Sequence, residues 1–319
     1  MQKYLIIISL CLSACVNDKA GIPVTIQHLE SLYEANPHEL SLDSLEKEYG
    51  YFWEVYRQHI VSLPNDSSFA DVLSRFQQDS SYQEVYADVQ KTFSDFDVYR
   101  EELTKAIQNY HHHFPNHVVP RVVTFYGAFN YPVANTDSVI GIGLDMFLGK
   151  ELGYYQTLAE KYPPYMHQQF HPDYMTALAM KGWLEVEYPT MPQNFLSQMV
   201  QKGRLQYVLS QLLPDTPDSI LMGYTHAQIE WCETSEFSIW QFLIQEDLLY
   251  TNKHDIIVKY MEPAPFSGRM PKDSPGRVAV WTGWQIVKAY MERHPKTTLQ
   301  ELMAIPDAQF LLNESKYKP

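Results

Sequence analysis

The sequence predicts a mainly helical α+β domain with a small β-sheet. Apolar residues recur at three- and four-residue intervals through most of the chain, the pattern of helices with one buried face. Two β-branched and aromatic runs, VVPRVVTFYGAFN (118–130) and DSVIGIGLDMFLG (137–149), interrupt that pattern without helix caps. A length of 319 residues at 45% hydrophobic and 19% charged is the composition of a globular chain able to bury a large core, and its 23 Tyr, 15 Phe and 6 Trp supply bulky packing surface.

Along the chain, helices are expected at 25–35, 42–61, 66–77, 80–94 and 96–113, the second with Leu45, Tyr49, Phe52, Trp53 and Tyr56 on its buried side. The two apolar runs follow, with Asn135, Thr136 and Asp137 as a turn between them, and predict a small antiparallel sheet. Helices resume at Pro172. A long one is expected from Pro192 to a stop at Pro214, then one in TSEFSIWQFLIQEDLLY (234–250). The segment 274–295 is bounded by Ser274-Pro275 and Pro295, and Val280, Trp284, Val287 and Met291 fall on one face. Gly276 and Gly283 lower its helix propensity, which suits close backbone packing. Two short helices end the chain, the first opened by a Thr298/Glu301 capping box. There is no internal repeat, and one domain is expected over 24–319.

The N-terminus MQKYLIIISLCLSAC has one Lys, a short apolar run and the small-residue box Leu12-Ser13-Ala14 before Cys15. That is the pattern of a bacterial lipoprotein signal, so 1–14 is expected to be removed, Cys15 acylated, and 15–23 left as a tether. The chain would then reach its membrane through acylated Cys15 and face the periplasm; Val16, in place of a retaining Asp, favours the outer membrane. Loss of Lys3 moves the net charge from −14 to −15, which disfavours nucleic acid as a partner. Cys232 is left without a cysteine partner, so no disulfide framework is expected.

Three motifs bear on chemistry. His167 and His171 in YMHQQFHPDYM stand four apart, as zinc-binding histidines on a helix do, but Gln168 cannot serve as the base and Pro172 disfavours helical geometry at His171. The tract YHHHFPNH (110–117) reads as a polar helix end before Pro115. In IEWCETSEF, Glu230, Glu233 and Glu236 lie near Trp231 and Trp240 and could rim an aromatic pocket. Neither a G-x-S-x-G elbow nor a phosphate-binding G-x-x-x-x-G-K-[ST] loop occurs. No cofactor is expected.

The box at Cys15, GYTHAQIEWCETSEFSIWQFLIQEDLLY and APFSGRMPKDSPGRVAVWTGWQIVKAYM together resemble the gliding-motility lipoprotein GldB family of the Bacteroidetes, as do KYPPYM and FLSQMVQKGRLQYVLSQLLP. The resemblance implies a cell-envelope role in gliding motility, with an envelope protein partner in the gliding or type IX secretion machinery. That family is in turn similar to predicted zinc peptidases of gluzincin type, which implies a zincin-like fold whose metal helix would be 174–188 and whose later Glu-Gly pair would be Lys202-Gly203. The first carries no histidine and the second a cation, so the resemblance implies a degenerate metal site and a pseudoenzyme that binds through its cleft, with Glu230, Glu236, Trp281 and Trp284 as lining candidates. The alternative is a metal-dependent hydrolase acting on envelope peptides or glycans, with His167 and His171 as ligands.

Overall fold

A computed structural model describes residues 21–63, 68–189 and 194–319. The expected signal peptide, Cys15, most of the tether and Pro192 lie outside these residues. The chain begins with β1 (Ile26–His28) and a 3-10 turn over Leu29–Glu34, where the sequence predicts a helix. The expected 42–61 helix is broken: α1 (Leu42–Tyr49) ends at Gly50, whose φ of 58° is open to glycine, and α2 (Tyr51–Val55) runs into a π-turn. Then come α3 (Phe69–Gln78), α4 (Ser80–Thr92) and α5 (Asp97–His113). The capping oxygen of Asp79 starts α4 by accepting from the amides of Ser81 and Tyr82.

β2 (Arg121–Phe125), β3 (Val133–Asn135) and β4 (Val139–Gly143) complete a four-stranded sheet of order β1-β2-β4-β3. The two predicted runs hold β2 and β4, which pair parallel and not antiparallel; the antiparallel neighbour of β4 is β3, from the segment between the runs. β2 lies parallel to β1 and to β4, with Val122 opposite both Ile26 and Ile140. The physical reason is in the composition: β4 is buried at every position and β2 at four of five, and a strand covered on both faces reads as an unbroken apolar run, as parallel strands do. Gly141 admits the ring of Phe52 and the carbonyl of Ala134, where a Cβ would stand 2.4 Å from that oxygen.

The C-terminal half is helical: α6 (Met175–Glu187), α7 (Phe195–Leu212), α8 (Asp218–Met222), α9 (His226–Thr234), α10 (Glu236–Gln245), α11 (His254–Met261), α12 (Val278–Arg293), α13 (Leu299–Ala304) and α14 (Ala308–Ser315). The expected Thr298/Glu301 capping box is present. Arg204 of α7 donates to the carbonyls of Leu302, Met303 and Ile305, closing the end of α13. Val280, Trp284, Val287 and Met291 are buried as their spacing requires. Pro275 and Gly276 stand before α12 rather than in its first turn. Among the described residues no helix is long and apolar enough to cross a membrane.

Candidate functional site

The site is built by a helix crossing. A Cβ on Gly203 of α7 would lie 2.2 Å from the carbonyl carbon of Gly283 on α12, and a Cβ on Gly283 would lie 2.0 Å from the carbonyl oxygen of Met199. Only two glycines let these backbones touch. The contact places Lys202 and Gln206, on either side of Gly203, beside the start of α12. α6 contributes Lys181 and Glu185, one turn apart, to the same hollow.

The remaining wall comes from the loop between α11 and α12. Ser267 Oγ donates to Pro275 O at 2.7 Å, and the Ser267 amide donates to Ser274 Oγ at 3.2 Å, so the loop folds back on itself. Gly276 lies so near Ala264 that a Cβ would approach its backbone N and O to 2.5 Å. These contacts bring Glu262, at the end of α11, and Arg277, at the start of α12, to one cavity of about 330 Å³.

Its electrostatics are dominated by cations. Lys202 Nζ pairs with Glu262 at 3.3 Å. Arg277 is buried, with φ of 62°; its guanidinium donates to the carbonyl of Met222 and lies 5.6 Å from the centre of the Tyr224 ring. Tyr224 in turn donates its hydroxyl to Gly276 O, which holds the ring against the loop. Burial, followed by the charge of Arg277, pulls the Lys181 ammonium down to about 7, with Glu185 and Glu262 opposing and Lys202 adding to the fall. Gln206 is buried, and its amide nitrogen has no hydrogen-bond partner. A zinc ion does not fit this donor set, because ammonium and guanidinium groups repel a dication and offer it no lone pair.

The sequence-derived residues fall elsewhere, apart from Lys202. His167 lies in a 3-10 turn, not an α-helix, and bonds through Nε2 to the carbonyl of Tyr162 at 2.7 Å. His171 is outside that turn, where its Nδ1 accepts from the Asp173 amide at 3.3 Å to cap the next one. Their spacing of four therefore gives no shared helical face. Trp281 and Trp284 are core, with Lys288 Nζ 3.7 Å from the centre of the Trp284 ring. Glu236 accepts from the Tyr317 hydroxyl at 2.8 Å and Trp240 meets the Tyr317 ring edge-on, so this pair docks the C-terminus. Glu230 is exposed and Trp231 half-buried, and neither lines the cavity. The histidine tract divides: His112 and His113 contact each other, while His117 Nδ1 lies 2.9 Å from Glu187 Oε2. Among the described residues no three His, Cys, Asp or Glu side chains form a set that could hold a metal. Cys232 is buried and its thiol pushed up to about 12, mainly by burial.

Lys181, Gln206, Glu262 and Arg277 carry no signal in the sequence that marks them as pocket residues. Lys202 is reached through the gluzincin resemblance, which assigns 174–188 and Lys202-Gly203 to one site; α6 and α7 do meet there. A family model described as gliding motility protein GldB matches residues 15–319 of the chain. No curated protein and no solved structure matches it significantly.

Proposed function

Because the chain belongs to the gliding motility protein GldB family, we propose that it is held in the cell envelope by lipid on Cys15 and supports gliding by binding a ligand in the pocket between α6, α7 and α12, without catalysis. The observation that carries this reading is the set of cations lining the pocket. Lys181, Lys202 and Arg277 line it and suit a negatively charged guest; Lys181 and Lys202 fall on the two segments to which the gluzincin resemblance assigns a metal site. The zincin-like ancestry belongs to the same proposal, supported by the meeting of α6 and α7. The family match begins at Cys15, which supports acylation there. Placement in the outer membrane, facing the periplasm, and a partner in the gliding or type IX secretion machinery complete the reading.

Two experiments test it. Cys15→Ala is expected to move the protein from membranes to the soluble periplasmic fraction and to stop colony spreading; retention on the membrane with normal spreading contradicts the anchor. Protein purified without a His tag is expected to hold well under one zinc per chain. Near-stoichiometric zinc, lost in His167→Ala/His171→Ala, would favour the hydrolase.

A further inference from the structure

Charge withdrawn from water, as on buried Arg277 and half-buried Lys181, is stable only when something of opposite sign or a full set of hydrogen bonds answers it. Among the described residues, Lys202 has Glu262 as its ion-pair partner, whereas Lys181 and Arg277 have no carboxylate within ion-pairing distance, and Arg277 has a hydrogen bond to one carbonyl only. Gln206 adds an amide N–H₂ with no acceptor. One cavity therefore gathers an ammonium, a guanidinium and a primary amide, all offering donors. The three cations of the walls stand against two carboxylates, Glu185 and Glu262, which leaves a single net positive charge when Lys181 is protonated. That balance is met by one negative charge and overshot by two.

We infer that this pocket binds a singly charged carboxylate, held by Lys181, Arg277 and the Gln206 amide, with the rest of a small organic ligand filling the cavity. A planar carboxylate matches the donor fork of Arg277 and can also accept from Gln206. A volume of about 330 Å³ is within the range of small-molecule sites and leaves room for more than the anion. Glu185, exposed beside the pocket, sets an acidic rim against a second negative group. The inference rests on the reading of the pocket as a binding site and names the class of its ligand.

The test is calorimetric titration of the full mature chain in detergent with N-acetylalanine, with its uncharged amide and with inorganic phosphate. The acid is expected to bind at least tenfold more tightly than the amide, and more tightly than phosphate. Lys181→Met and Gln206→Glu are each expected to weaken it tenfold or more, the second by placing a carboxylate among the donors. Carbon NMR of the Lys181 side chain in the unsubstituted protein is expected to show its titration moving to higher pH when the acid is present. Equal affinity for acid and amide, no binding of either, or tighter binding of phosphate overturns the inference, whether or not the variants fold. A chain that binds no carboxylate yet loses spreading when its pocket is altered would fail here while leaving the proposed function intact.

Discussion

Two ionisable side chains, Asp145 buried and Lys181 half-buried, have opposite tasks. Asp145 is fully buried and accepts from the amides of Gly127 and Phe129, pinning a loop in which Ala128 and Phe129 both have positive φ. Desolvation raises its carboxyl to about 6 despite those bonds. An acid with a raised folded-state value contributes most below the unfolded value near 4 and loses that contribution as pH rises through 6. The stability of the unsubstituted protein relative to Asp145→Asn is therefore expected to fall by roughly 2–3 kcal/mol between pH 4 and pH 7, read from urea unfolding; a flat difference contradicts the assignment. Lys181 runs the other way. Its lowered value means that it costs stability below pH 7 and that the cost fades as pH climbs toward the unfolded value near 10.5. Lys181→Met is expected to stabilise the free protein by roughly 1–2 kcal/mol at pH 6 and by less at pH 9. Neither effect was legible in the sequence, because the neighbours that act on Asp145 and Lys181 lie 16 to 18 and 96 residues away.

At the scale of elements, the helices were legible and their junctions less so. Periodicity located α3, α4, α5, α7 and α12 to within a few residues, since each has one face that must be buried. It missed the break at Gly50, because the apolar spacing continues across it, and it took β1 for helix, because three residues carry no period. Apolar runs marked the central strands, but the antiparallel pairing expected of them was wrong, because their unbroken apolar character is that of strands covered on both faces, which pair parallel. The glycines were the sharper signal. Gly283 was expected to allow close packing and does, against Met199 and Gly203, and this crossing sets the distance between Lys202, Gln206 and Arg277. Gly203→Ala is expected to lower stability by about 2–4 kcal/mol, read from chemical unfolding, since the neighbours are backbone atoms that cannot rotate aside. Its carboxylate affinity should fall as well. Thr298→Ala, which removes the cap of α13, is expected to cost about 1 kcal/mol and to leave the pocket unaffected.

Over the whole molecule, the α6–α7–α12 crossing, the loop between α11 and α12 and the sheet behind α6 together hold the pocket, while the family match reaches from Cys15 to the last residue. The helices that carry Lys181 and Lys202 were expected to lie together only through the gluzincin resemblance, whose degenerate metal site has no support among the described residues, and the chemistry of the pocket was not legible. Arg277, Glu262 and Gln206 come to it from segments up to 96 residues from Lys181, and no local spacing announces them. Of the aromatic and acidic residues that the sequence singles out, Glu236 and Trp240 dock the C-terminus, and Trp281 and Trp284 fill the core. In the proposed function, a tethered chain supports gliding by what it binds among the pocket cations. Colony spreading of cells whose only copy carries Lys181→Met, with the protein present on membranes at normal abundance, tests it most directly. Spreading is expected to be lost while the protein remains folded and anchored, and spreading at the unsubstituted rate would overturn the proposed role of the pocket.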